Sequence, residues 1–214
     1  IKLIEMIAHR EGFGDLLAEG ANRASEIVGK GSKKYALHVK GLTLDSRDPR
    51  ASKGRALGYA VASRGAEHCR ANISIESCQT TDIAYNISPE GKAEEIVWHE
   101  NVRAVQNALQ ICEICAHSGR MLAPQMLLKF YSAVTGSSIS ENELLIVGER
   151  IVTIERAFNV REGLTRKDDT LPERFLKEPM PEGPARGQVV ELQPMIDRYY
   201  ELRGWDKKEG LPSK

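Results

Sequence analysis

The sequence predicts an all-α, multihelical chain with at most one short strand. Three observations carry that prediction. Apolar residues recur at three- and four-residue steps along most of the chain. Asp, Ser and Pro starts and Gly stops punctuate the pattern. Loose alternation, the mark of a strand, is confined to residues 35–44, where Tyr35, Leu37 and Val39 give a short strand or an extended linker.

Ile1, Ile4 and Ile7, then Leu16, Leu17, Ala21, Ala24, Ile27 and Val28, predict two helices separated by Gly12 and Gly14, with Asp15 capping the second. Asp48-Pro49-Arg50 opens a stretch to Arg70 in which Gly54, Gly58 and Gly65 lie among Ala56, Ala60, Ala62 and Ala66. So many small residues predict a helix that lets backbone or ligand approach closely. Ser88-Pro89 marks a helix start, with the helix running to His117 before Gly119. Pro124 starts another, ending near Gly136. Ser140-Glu141-Asn142-Glu143 is a capping box, opening a helix with Leu144, Val147, Ile151, Ile154 and Phe158 on one face. Residues 163–188, rich in Pro and charge, predict a wrapping segment. A last helix begins near Pro194, buries Ile196, Tyr199 and Tyr200, and stops at Gly204. The chain is expected to form one multihelical unit over 1–214, with a sub-boundary near 36–50.

Thirty basic and 30 acidic side chains cancel, so no basic excess exists to neutralise phosphates, which argues against nucleic acid and membrane surfaces as partners. No apolar run approaches the ~20 residues of a membrane span. Four cysteines (Cys69, Cys78, Cys112, Cys115) are too few for a secreted disulfide scaffold, which leaves core thiols or metal ligands in an intracellular protein. Ile1 already lies inside an apolar-periodic pattern, as expected for part of a longer chain.

Cys112-x-x-Cys115 is the most obvious chemical motif, because helical residues three apart share a face and two thiolates can meet one metal. A closed site needs about four ligands, and the spacing of Cys69 and Cys78 fits no common zinc motif. Ser63 to Arg70 packs Arg64, Glu67, His68 and Arg70 into eight residues. Arg forks suit phosphate or a pterin, and a His suits proton transfer; on these residues alone, a solvated helix end with a satisfied histidine is the favoured reading. Asp48-Pro49-Arg50 is either a local turn or a presentation of Arg50 to an anion. Arg161 to Asp169 reads as a solvated loop, and His9, His38, His99 and His117 show no pairing pattern.

Several segments, in order, resemble the C-terminal, helical region of the tungsten-containing aldehyde:ferredoxin oxidoreductase family. They are Arg10-Glu11-Gly12-Phe13-Gly14-Asp15-Leu16-Leu17-Ala18-Glu19-Gly20, Val39-Lys40-Gly41-Leu42, Asp48-Pro49-Arg50 with Lys53-Gly54, and Ser63-Arg64-Gly65 with His68 and Arg70. Phe158-Asn159-Val160-Arg161-Glu162-Gly163 and Arg166 to Phe175 complete the set. The resemblance implies an enzyme that oxidises aldehydes to carboxylates at a tungstopterin (or molybdopterin), passing electrons through a [4Fe-4S] cluster to ferredoxin in the cytoplasm. It also implies an N-terminal domain before Ile1 that supplies most of the pterin cradle, three cluster cysteines and an active-site Glu. The region alone is then expected to bind no cofactor, to be inactive, and to leave an exposed apolar patch filled by self-association (a homo-oligomer) or by disorder.

The same resemblance assigns residues. Cys112 falls on the fourth cluster cysteine of an Asp-x-x-Gly-Leu-Cys motif, Asn107 on its pterin contact, and Glu113 beside it. Asn107 and Gln110 replace the motif's Asp and Gly. His68 matches the active-site His, and Arg64 and Arg70 match positions that touch pterin or its phosphate. Asp48 and Arg50 fall in the same cofactor-side motif, and Arg47 stands where a Tyr facing substrate is usual. An Arg cannot act as a neutral acid but can clamp a carboxylate or phosphate, which implies an anionic substrate. The three replacements also fit an alternative, a catalytically degenerate helical paralogue serving as an assembly subunit.

Overall fold

The computed structural model describes residues 1–71, 73, 82–112 and 124–213. Those residues are mostly helical, in line with the sequence. Three short helices come first: α1 (Lys2–Ala8), α2 (Phe13–Ala18) and α3 (Ala21–Val28). The sequence predicted two, and Gly20 makes the difference by taking a positive φ as the N-cap of α3. Asp15 does not cap α2; it sits in the first turn and pairs with Arg10 Nη1 at 3.1 Å.

Strands β1 (His38–Val39) and β2 (Leu42–Thr43) form an antiparallel hairpin inside the segment where alternation was read. Its turn is Lys40-Gly41, both at positive φ, the backbone that a two-residue hairpin requires. Lys40 then serves a second purpose. Its Nζ donates to the carbonyls of Ala60 (2.6 Å) and Ala62 (3.1 Å), satisfying the open C-terminus of α4 (Lys53–Val61). Every residue of α4 is buried. The small residues there therefore serve helix packing, and the helix is shorter than the 48–70 stretch suggested.

Helices α5 (Ile83–Ile87), α6 (Lys92–Ala108), α7 (Pro124–Thr135), α8 (Glu141–Arg161), α9 (Glu173–Lys177) and α10 (Leu192–Arg203) follow. The main core joins α4 to Ala93 and Ile96 of α6, to Met195, Ile196, Tyr199 and Tyr200 of α10, and to Phe175 and Trp205. A smaller cluster joins Val102, Val105, Leu127 and Leu144 across α6, α7 and α8. The predicted capping box opens α8: Ser140 Oγ accepts from the Glu143 N–H, and Glu143 Oε2 accepts from the Ser140 N–H.

Two expectations about helices fail on tertiary grounds. The helix predicted to reach His117 ends at Ala108, because the chain reverses at Gln110 with φ +59°; residues 113–117 lie outside the described set. The apolar face predicted for α8 is largely outward, with Ile154 70% and Phe158 53% exposed. Its inward face is instead Leu144, Gly148 and Arg156. A Cβ at Gly148 would lie 2.1 Å from the Asn101 carbonyl oxygen, so α8 crosses α6 at backbone contact.

Arg156 faces inward because an ion cluster awaits it. The Asp169 carboxylate, with no exposed side-chain surface, lies 2.8 Å from both Lys40 Nζ and Arg156 Nη1 and accepts from the Tyr200 hydroxyl. Burial pushes the Lys40 ammonium below its ordinary value, against the opposing pull of Asp169. Asp169 thus ties the 163–188 wrap to the hairpin, to α8 and to α10, so the run read as solvated loop ends in the core. A second buried pair, Arg203 Nη2 to Glu100 Oε2 at 2.7 Å, joins α10 to α6, and Tyr199 donates to the same oxygen at 2.5 Å.

Candidate functional site

The segment after α4, residues 62–70, is fixed from two sides. On one side Gly65 (φ +106°) presses on the hairpin, where a Cβ would lie 2.2 Å from the Val39 carbonyl oxygen, and the Ala66 N–H donates to that oxygen at 3.3 Å. On the other side α8 holds it. Asn159 Nδ2 donates to the Ser63 carbonyl at 2.7 Å, Ser63 Oγ donates to Glu155 Oε2 at 2.7 Å, and Arg70 Nη1 meets Glu155 Oε1 at 2.6 Å. Glu155 and Asn159 are four apart and share a helix face, so one helix turn anchors the whole segment.

Within that frame, Arg64 Nε bonds the buried Glu67 carboxylate at 2.7 Å while 60% of the Arg64 side chain stays exposed. Arg70 Nε approaches the same carboxylate at 3.7 Å. His68 turns to the loop after the hairpin, with Nδ1 3.2 Å from Asp45 Oδ2. Asp45 Oδ1 accepts from the Tyr59 hydroxyl at 2.7 Å and from the Arg47 N–H at 2.9 Å, and Arg55 Nη1 lies 3.6 Å from Oδ2. Burial acts to raise the Asp45 carboxyl, but those donors and the charges of Arg55 and His68 outweigh it and hold it below its ordinary value. Burial pushes the Tyr59 phenol up to about 12, so it stays a donor.

Arg47, Asp48 and Arg50 lie on the same loop and line one cleft of about 330 Å³, with Tyr35, Asp45 and Arg174. Their roles in it differ. Arg50 grips Asp48 through two bonds (Nε–Oδ1 3.0 Å, Nη2–Oδ2 2.6 Å) and donates to the Glu178 carbonyl at 2.8 Å, with the Phe175 ring 5.5 Å away. Asp48 also caps the 3₁₀ turn Pro49–Ala51. The pair is a largely buried clip between loop and wrap, and Arg47 beside it is exposed.

Asn107 and Cys112 bracket the end of α6, both exposed, separated by the reversal at Gln110. Asn107 accepts the Gln110 N–H through its carbonyl at 3.0 Å, so its side-chain amide is not used in closing the helix. Glu113, Cys78 and Cys115 lie outside the described residues. Among the described residues no group of three or more His, Cys, Asp or Glu could hold a metal ion, and no helix is long and apolar enough to cross a membrane. One outward thiol suits a single ligand position on a cluster held mainly by other residues; it cannot make a cluster site alone. Arg64 and Arg47, with exposed guanidinium groups, suit an anionic group approaching from outside the chain.

Two arrays of candidate residues thus face outward, one around His68 and one at the end of α6. Over residues 1–214 the chain matches the family described as "Aldehyde ferredoxin oxidoreductase, domains 2 & 3". It belongs to that oxidoreductase family. The tungsten-containing aldehyde ferredoxin oxidoreductases of Pyrococcus horikoshii and Thermococcus kodakarensis are each 38% identical, over 99% and 98% of this chain and 34% of their own length. A Pyrococcus furiosus protein named "Aliphatic sulfonate oxidoreductase, WOR-like subunit" is 30% identical over 100% of this chain and 33% of its own. The chain therefore spans about a third of the length of these relatives. Among solved structures, the active-site complex BamBC of benzoyl coenzyme A reductase, with 1,5-dienoyl-CoA, has a TM-score of 0.72 at 21% identity. That match covers 99% of this chain and 37% of the other, and it shows a shared fold.

Sequence reasoning missed Asp45, Arg55, Tyr59 and Glu155. Only spacing within α8 could have hinted at Glu155, since it lies four residues before Asn159 in a segment already singled out.

Proposed function

We propose that this chain is the helical part of a tungsten or molybdenum pterin enzyme that oxidises an aldehyde to a carboxylate and passes the electrons through a [4Fe-4S] cluster to ferredoxin. The match of the whole chain to domains 2 and 3 of the family carries this reading. When bound, the pterin metal supplies the two-electron redox chemistry, and the cluster supplies the exit path. The chain's own residues supply charge, a proton site and one thiolate.

Arg64 and Arg70 bind pterin or its phosphate, each loss costing more than a neutral contact because the bonds are charge-assisted. Glu67 and Glu155 hold the two guanidinium groups in place beforehand. Asn107, at the end of α6, contacts the pterin, Glu113 is its neighbour by sequence position, and Cys112 closes the cluster. His68 exchanges a proton with substrate. The Asp48–Arg50 clip presents Arg47 at the cleft, where a guanidinium selects a substrate bearing a negative group. An aliphatic sulfonate, named for one relative, is a group of that kind. Residues 1–214 act as one unit, with the 163–188 wrap tying its parts together. The outward apolar residues of α8 are covered by the rest of the protein or by a second copy.

Metal analysis and turnover of single variants of the full-length protein test this. Cys112→Ser is expected to lose iron and Cys115→Ser to keep it. His68→Ala is expected to keep both metals and lose ~10²–10⁴-fold in turnover, the range for one acid–base group. Full turnover in His68→Ala removes His68 from the reaction. Iron lost from Cys115→Ser and kept in Cys112→Ser moves the cluster ligand by three residues.

A further inference from the structure

We propose that Asp45 is the positioning residue of His68, fixing its Nδ1–H so that Nε2 is the nitrogen presented for proton exchange. This rests on the reading of His68 given above. The motifs that carry the family resemblance do not include Asp45, and it lies 23 positions before its partner. The geometry joins them: His68 Nδ1 is 3.2 Å from Asp45 Oδ2.

The carboxylate is held as firmly as it holds. Tyr59 and Arg55 both rise from the buried helix α4, one turn apart, and reach Asp45 from the core side. The Arg47 N–H fixes Oδ1 from the loop side. Two hydrogen bonds thus hold Oδ1, and two basic groups, Arg55 at 3.6 Å and His68 at 3.2 Å, lie against Oδ2. An ionised carboxylate only accepts, so the imidazole nitrogen facing it carries the proton, and the other nitrogen becomes the working one. The acid on His68's own segment, Glu67, is turned to Arg64 and Arg70, so Asp45 is the acid set against the ring. Asp45 also lines the cleft that Arg47 borders, which puts the orienting carboxylate and the anion-selecting cation on one loop.

The test uses the full-length holoenzyme. In Asp45→Asn, the amide oxygen keeps Tyr59 and Arg47, so the NH₂ group faces Nδ1 and the ring is driven to its other tautomer. Turnover is expected to fall ~10²-fold with KM little changed and both metals retained, as when the partner that orients a working histidine is lost. Asp45→Glu, which keeps the charge, is expected to recover part of that loss. A readout independent of turnover is deuterium exchange at Cε1 of His68, followed by mass spectrometry across pH. The exchange profile follows the state of the ring nitrogens and is expected to differ between Asp45→Asn and the parent.

Equal exchange profiles in parent and Asp45→Asn overturn the proposal, and so does loss of both metals with the turnover. Where Asp45→Asn does not fold, Tyr59→Phe carries the test. Removing that donor makes the carboxylate a stronger acceptor and changes the exchange profile of the ring; an unchanged profile overturns the proposal. His68→Ala separates the two levels. If it keeps full turnover, the role of His68 fails. If it is slow while Asp45→Asn is unaffected, only the role of Asp45 fails.

Discussion

Gly148→Ala tests the crossing of α6 and α8, on which both halves of the site depend. Helix α6 ends at Ala108, between Asn107 and Cys112, and α8 carries Glu155 and Asn159, which anchor residues 63–70. At the crossing, an alanine Cβ would lie 2.1 Å from the Asn101 carbonyl oxygen and 2.7 Å from its carbon. An ordinary C···O contact is about 3.3 Å, so the helices must part locally by about 1 Å. The obstructing atoms are backbone, and no rotamer change relieves them. Overpacking of this kind costs about 1–3 kcal/mol, and backbone obstruction puts it near the upper end. Against it stands a gain of about 1 kcal/mol for Gly→Ala in a helix interior.

The net expectation is a loss of about 2 kcal/mol, larger than the propensity gain it opposes. Because the full protein exceeds this chain, a global melting curve mixes contributions from elsewhere. Native-state hydrogen exchange, read on peptides from α6 and α8, isolates the local term. Faster exchange in both helices is the expected result, together with weaker retention of iron. Exchange slowed in both helices would show that only propensity changed, and the close crossing would be refuted.

Two further outcomes follow from the same packing. Gln110 holds φ +59°, a left-handed conformation that costs a side-chain-bearing residue about 1 kcal/mol or more; Gln110→Gly is therefore expected to slow exchange at the end of α6 by that amount without changing iron content. Asp169→Asn strips the charge that pairs with Lys40 and Arg156 in the core; breaking a buried pair costs about 3–5 kcal/mol, so limited proteolysis is expected to cut the 163–188 wrap far faster than in the parent.

What was legible in the sequence was whatever short-range rules control. The capping box at Ser140 and the stop at Gly204 depend on neighbouring residues, and each forms where it was read, whereas residues 35–44, read as one short strand or a linker, hold a two-stranded hairpin. Errors arose where a distant partner decides. Ile154 and Phe158 were read on one face with Leu144, yet both are exposed while Leu144 packs inward. The inward face was claimed by Gly148, which α6 requires small, and by Arg156, which Asp169 requires charged. Periodicity counts apolar residues and cannot see that a buried ion pair has taken their side of the helix.

The candidate site divides in the same way. Arg64, His68 and Arg70 were recognisable because they crowd into one segment. The residues that aim them were not, because each arrives from elsewhere: Asp45 from the loop after the hairpin, Tyr59 and Arg55 from α4, Glu155 from α8. Each basic side chain of the 63–70 segment meets a carboxylate: Arg64 meets Glu67 within the segment, Arg70 meets Glu155 across the fold, and His68 meets Asp45 from the loop after the hairpin. Those carboxylates hold the two guanidinium groups and lie against the imidazole before any ligand arrives, and pre-set geometry of this kind lets binding energy go into orientation rather than into ordering the protein. The fold's contribution to the chemistry is therefore in the spacing of α4, α8 and the hairpin, and a substitution that shifts any of the three is felt at His68 without touching it.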